Sequence, residues 1–250
     1  MRFRKHRHAG DVLELAQLYR NEGADELVFY DITASPEGRA ADSAWVRRVG
    51  QLLDIPFCVA GGIRSVAEAE ALLAAGADKI SVNSPALEQP ALIDELARRF
   101  GSQCVVIGID SQRSAPDQPF CVYQYAGDPK RMRWSGRLTL DWVREVQSRG
   151  AGEIVLNAIA SDGTRDGYDL EQCTTIRDVC RLPLVASGGA GAISHFIDVL
   201  TEPRADGALA ASVFHTGFIR IGDLKRQLKA AGVPVRLTSE RTAPSVSRLT

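Results

Sequence analysis

The sequence predicts an α/β fold, a (βα)8 barrel of the TIM type built from two half-barrel repeats, with the first strand missing. Three observations predict it. The chain has 250 residues, the usual size of one such barrel. Short apolar runs alternate with amphipathic helical stretches, the pattern of a buried parallel sheet covered by helices. The first half of the chain also repeats in the second. Gly23-Ala24-Asp25-Glu26-Leu27-Val28 matches Gly150-Ala151-Gly152-Glu153-Ile154-Val155, and Ile55-Pro56-Phe57 through Gly61-Gly62 matches Leu182-Pro183-Leu184 through Gly188-Gly189, both at an offset of 127 residues. Ala77-Asp78 and Ala205-Asp206 follow at 128. Two related sets of strand–helix units joined in one sheet account for this regularity.

Taken in order, residues 1–10 form a basic leader, expected to be disordered; no apolar stretch follows it, so it does not read as a secretory signal. Most of Asp11–Glu22 reads as helix. Strands are expected at Glu26–Asp31, Phe57–Ala60, Lys79–Asn83, Cys104–Asp110, Glu153–Asn157, Leu184–Ser187 and Gly207–Ala211. Between them lie helices such as Val66–Ala75, Pro90–Phe100, Leu138–Arg149, Leu170–Cys180 and His195–Thr201. The polar stretch 111–137 reads as a long loop or small hairpin. The barrel domain spans 11–237, and the apolar-poor tail 238–250 is expected to be disordered outside the core. The repeat exposes a deficit: the strand ending at Asp110 has no first-half counterpart, because too few residues precede Glu26 and the leader is too polar to be a buried strand.

Composition excludes several classes. Lys+Arg number 30 against 31 Asp+Glu, a net charge of −1, which speaks against a nucleic-acid partner. No apolar run is long enough to span a membrane. The five cysteines are odd in number and form no CxxC pair, so they read as free thiols in a reducing compartment, most simply the cytoplasm. No His/Cys/Asp cluster has metal-ligand spacing, and no Gly-x-Gly-x-x-Gly follows an early strand; neither a metal nor another cofactor is indicated.

Phosphate ligation is the best-supported chemistry. Gly61-Gly62 and Gly188-Gly189 each follow a short buried strand, where glycine lets backbone approach an anion. The ends of the next strands supply Asn83-Ser84 and Ala211-Ser212. One such pair alone fits a plain tight turn equally well; two repeat-related pairs suggest a substrate held by a phosphate at each end. Asp31 and Asp110 end apolar strands, where barrel enzymes place catalytic groups, although a lone aspartate there more often caps a helix. Asp162-Gly163-Thr164 could present an acid and backbone donors, or be a simple turn. Glu26, Lys79 and Glu153 begin their strands, beside Asp78, at the barrel face where charge usually serves stability but could gate a path along the axis.

DELVFYDITAS, VAGGIRS, GADKISVNS, FGSQCVVIGID, GAGEIVLN, SDGTRDGYDLE, ASGGAG and ALAASVFH closely resemble the cyclase-subunit family of imidazole glycerol phosphate synthase, over about residues 10–237. The resemblance implies a barrel that takes ammonia from a glutaminase partner and uses it to convert a bisphosphorylated ribonucleotide to imidazole glycerol phosphate and aminoimidazole carboxamide ribonucleotide. It implies that Asp110 is one of two catalytic aspartates. Gly62, Asn83 and Ser84 match one phosphate site, and Asp162, Gly163, Ser187, Gly189, Ala211 and Ser212 the second and its surroundings. Asp31 matches a mouth carboxylate. Gln103, Glu26, Lys79 and Glu153 match the ammonia entrance, and Asp78 the partner-docking face. The family's opening strand, with the other aspartate and a basic member of the entrance, finds no match here; this is the same deficit that the repeat exposes, and a shortened start is the expectation. Asn157 stands where the family often has Thr, and Ala160 where Asp is common. A phosphate- or partner-binding barrel without turnover, and a sister-type isomerase, are the alternatives.

Overall fold

Strand and helix alternate along the chain as the apolar periodicity requires. The structure, a computed structural model, describes residues 10–31, 42–128 and 130–237. In chain order these form α1 (Val12–Glu22), β1 (Leu27–Tyr30), α2 (Ser43–Leu52), β2 (Phe57–Ala60), α3 (Val66–Ala74), β3 (Lys79–Val82), α4 (Ser84–Glu88), α5 (Ala91–Phe100), β4 (Val105–Gln112), β5 (Cys121–Gln124), β6 (Arg133–Leu138), α6 (Thr139–Ser148), β7 (Glu153–Ala158), α7 (Leu170–Arg177), β8 (Leu184–Ser187), α8 (Ile193–Thr201), β9 (Gly207–Leu209), α9 (Ser212–His215) and α10 (Ile221–Ala230). Caps fix several helix starts: Asp11, Ser65 and Asp169 accept backbone N–H groups of the first turns of α1, α3 and α7.

Seven strands run parallel in the order β1-β2-β3-β4-β7-β8-β9, curled around a common axis. The stretch after Asp110 is a hairpin. β5 pairs antiparallel with Asp110–Gln112, so β4 runs two residues further than its apolar content suggests. β9 is correspondingly shorter than expected, since Ala211 already precedes α9. The expectations for the leader and the tail fall, Gly10 apart, outside the described residues.

Side chains alternate across each strand, and this sorts the core into two shells. Outward residues such as Phe57, Ile80, Ile107, Ile154 and Leu184 are buried against the helices. Inward residues form three layers. Glu26, Lys79 and Glu153 meet at the strand beginnings. Val28, Cys58, Val106, Val155, Val185 and Leu209 pack as an apolar middle layer. Above them the strand ends open into a cavity. Beneath the hairpin, a buried polar network steadies the end of β4: the Gln172 amide donates to Ser111 Oγ, which pairs with Thr139 Oγ1 at 2.7 Å.

Two details reflect the repeat. Asp78 accepts the Phe57 N–H at 2.9 Å, and Asp206 accepts the Leu184 N–H at 2.8 Å, the same brace in each half. Among the described residues no strand pairs the outer edges of β1 and β9. There the helical layer closes the ring instead. Lys225 of α10, only 5% exposed, reaches past α1 to donate to Gly23 O at 2.8 Å and Asp25 Oδ1 at 2.7 Å. Glu22 accepts the Ile221 N–H at 3.1 Å and pairs with Arg220 at 2.7 Å.

Candidate active site

The inward ends of the strands surround a cavity of about 650 Å³, a size that suits a small metabolite. Asp110, at the inward register of β4, faces it. Asn83 Nδ2 donates to Asp110 Oδ2 and Asn157 Nδ2 to Asp110 Oδ1, each at 2.9 Å. Burial pushes the Asp110 carboxyl above the ordinary aspartate range; the two amides pull it back and the charge of Asp162 adds to the rise. The result is a carboxylate held in one orientation with a raised proton affinity, suited to exchanging protons with a ligand. Asn83 Oδ1 is buried and unpartnered among the described residues, an acceptor aimed at no group of the fold.

On one side, β2 turns at Gly61-Gly62. Gly61 has φ 110°, and a Cβ there would lie 2.4 Å from the Asp31 carbonyl oxygen, so only glycine allows the strand ends to approach. Asp31, Gly62, Asn83 and Ser84 line the cavity on this side. Ser84 is buried and accepts the Tyr125 N–H at 3.1 Å, which ties the hairpin to this seat. On the other side, β8 turns at Gly188-Gly189. A Cβ on Gly189 would meet the Gly167 carbonyl oxygen at 1.9 Å, and Gly167 N–H donates to Gly189 O at 2.9 Å. Here Ser187, Ala211 and Asp162 line the cavity; Gly163, Gly189 and Ser212 stand one or two residues from them in the chain and are not among its lining residues. Burial raises the Asp162 carboxyl, opposed by the Gly163 N–H. Gly61-Gly62 thus borders the cavity directly, whereas Gly188-Gly189 begins one residue past Ser187 of its other wall, and Asp110 is reachable from the cavity.

At the opposite end of the axis, Lys79 Nζ lies 2.7 Å from both Glu26 and Glu153. Burial depresses the ammonium, but the hydrogen bonds it donates to Glu153 and Glu26 outweigh this, and the net shift is upward. Burial raises Glu26, partly offset by Lys79. The ring is therefore a closed ion-pair plug beneath the apolar layer. Gln103 stands apart from it. It sits in a 3-10 turn ahead of β4, exposed, donating to the Phe100 carbonyl at 3.4 Å, because the chain is still wrapping off α5 at that point. Asp78 is on the same face, its carboxylate engaged in the brace to Phe57. His195 Nδ1 accepts the N–H groups of Gly191 and Ala192 and so caps α8.

Sequence reasoning missed the hairpin's share of the cavity wall, Tyr125 and Arg131 among it, and noted Asn157 only as a departure. The signal for Asn157 was present: it stands two and four residues after Val155 and Glu153, hence on the same inward face.

Two repeat-related turns on either side of an acid, with a lysine and two glutamates meeting at the opposite end of the axis, define a class: a parallel α/β barrel with a buried carboxylate in a metabolite-sized cavity at its strand ends. Comparison with known proteins narrows this. A family model described as "Histidine biosynthesis protein" matches residues 1–220. The chain is 57% identical to the imidazole glycerol phosphate synthase subunit HisF of Citrobacter koseri, 58% to that of Serratia proteamaculans and 60% to that of Edwardsiella ictaluri, each over 237 residues that cover 95% of this chain and 92% of the relative. The chain belongs to the histidine biosynthesis protein family and, within it, to the group of imidazole glycerol phosphate synthase HisF subunits.

Proposed function

We propose that this chain is the cyclase, a carbon–nitrogen lyase, of an imidazole glycerol phosphate synthase, acting on the doubly phosphorylated ribonucleotide with ammonia received from a glutaminase partner. One observation carries the reading: Asp110, clamped by two amides, faces one cavity lined by the Gly61-Gly62 turn on one side and by Asp162, Ser187 and Ala211 on the repeat-related side. In this reading Gly62 and Ser84 seat one phosphate, and Gly189 with Ser212 seats the other. The two seats hold the reacting carbon and nitrogen over Asp110. Ammonia that condenses with the carbonyl carbon forms a C=N bond and releases water; ring closure onto the neighbouring carbon then breaks its bond to the amino nitrogen of aminoimidazole carboxamide, and Asp110 carries a proton from the incoming nitrogen to the departing one. Asn83 Oδ1, unpartnered in the fold, accepts a hydrogen bond from the substrate.

Ammonia enters at the other end. The glutaminase docks on the face that bears Asp78 and Gln103. Lys79 swings from one glutamate to open the plug, and the Val28, Cys58, Val106 and Val155 layer passes neutral ammonia but not ammonium, since an ion gains no compensating partner there. Purified chain incubated with the ribonucleotide and an ammonium salt is the test. Imidazole glycerol phosphate as product supports the reading; isomerisation of a precursor, or no turnover at any ammonium concentration, defeats it. A barrel that binds phosphates or the glutaminase without turnover is the second reading, favoured by the unpaired outer edges of β1 and β9 among the described residues.

A further inference from the structure

We propose that Arg131 determines substrate binding at the mouth, its guanidinium taking the phosphate seated on the Gly62–Ser84 side; this rests on the reading of a doubly phosphorylated substrate given above. The cavity wall poses an electrostatic problem. Four aspartates line it, Asp31, Asp110, Asp128 and Asp162, and a phosphate monoester carries about −1.5 to −2 charge near neutral pH. Among the described lining residues, Arg131 is the single cation.

Its placement fits the task. The guanidinium lies over the Tyr125 ring, 4.4 Å from the centroid, and the Arg131 N–H donates to Asp128 O at 2.9 Å. The ring face supports the guanidinium, and N–H groups not engaged with the ring suit contact with phosphate oxygens. Tyr125 is itself fixed: its backbone N–H donates to Ser84 Oγ and its phenol to Glu88. The cation is thus built onto the same side chain, Ser84, that belongs to the first seat. Neighbouring Arg133 also lies over the Tyr125 ring, at 5.4 Å, but its N–H groups are engaged, donating to Gln124 Oε1 at 3.1 Å and lying 3.7 Å from Glu88. No salt bridge engages Arg131 among the described residues.

Steady-state kinetics with the ribonucleotide and ammonium, together with calorimetric titration of inorganic phosphate, test this on Arg131→Ala, Arg131→Lys and, as a charge-matched control on the far surface of α6, Arg144→Ala. The Ala variant is expected to raise KM roughly 10–100-fold, the worth of a charge-assisted contact, with kcat within about threefold of the parent. The Lys variant recovers part of the loss, because it keeps the charge and not the fork. Arg144→Ala leaves both constants in place. A KM for Arg131→Ala within about twofold of the parent overturns the assignment while the cyclase reading stands. If the parent chain turns over no ribonucleotide, that reading falls, and the titration decides for Arg131 alone: weaker phosphate binding in Arg131→Ala upholds it, and equal binding overturns it.

Discussion

At the end of β2, Gly61-Gly62 faces a seat whose serine, Ser84, is buried and tied to the hairpin through Tyr125; at the end of β8, the corresponding Ser212 is exposed and its neighbour is Ala211 where the first half has Asn83. The repeat has kept the backbone turn in both places and let the side chains diverge. Asn83 reaches Asp110, whereas Ala211 has nothing to reach with. The wall of the first seat is also borrowed, because the hairpin that supplies Tyr125 and Arg131 is inserted in the second half. The first seat is thereby mechanically connected to the acid, and the second offers mainly backbone in the proposed reading.

The largest effect that tests this contrast lies between the seats. Asp110→Asn is expected to lower turnover about 10²–10⁴-fold while inorganic phosphate still titrates into both seats. Loss of phosphate binding at either would mean that the acid shapes the seats rather than carrying protons. Next come the turns. Gly189→Ala places a Cβ 1.9 Å from a backbone oxygen, against 2.4 Å for Gly61→Ala. Both should destabilise the fold, by about 2–4 kcal/mol, with the larger fall in melting temperature for Gly189→Ala. The reverse order would show that the loop holding Gly167 gives way easily.

A smaller difference separates the serines. Ser84→Ala removes a ligand contact and the hairpin tie together, so KM should rise about tenfold and limited proteolysis within 125–131 should accelerate; Ser212→Ala should raise KM about threefold and leave proteolysis unchanged. Equal effects would erase the asymmetry. The smallest effect concerns pH. Both amides favour the ionised form of Asp110, so removing one raises its proton affinity further. In Asn157→Ala the limb of kcat/KM governed by Asp110 should therefore move to higher pH, whereas Ser187→Ala, on the second seat, should leave it in place. A limb that moves to lower pH in Asn157→Ala breaks the assignment.

Much of this frame was legible in the residues. Seven apolar runs, the diglycine pairs at one offset and the charged strand beginnings fix the topology, both turns and the plug of Lys79. These are local or periodic signals. What stayed hidden depends on distant segments meeting. Asn157 becomes a partner of Asp110 only because β7 lies beside β4 in register, Asp110 opposite Asn157. Arg131 becomes part of the mouth only because β5 folds back along Asp110–Gln112, and nothing in the polar stretch 111–137 announces where its tip will lie. Gln103 shows the converse: it precedes β4 in sequence, yet a 3-10 turn intervenes and its side chain stands apart from the Lys79 cluster.

The contact between Lys225 and the Gly23–Asp25 corner gives the barrel a hoop-like character. Where sheet hydrogen bonding is absent among the described residues, side chains span the gap at the strand beginnings: Lys225 on two oxygens, Glu22 on the Ile221 N–H and on Arg220, and Arg236 on Ala24 O. The circumference there is held by a row of clasps rather than a weld, at the end of the axis away from the cavity, so loosening Lys225 alone leaves the others in place.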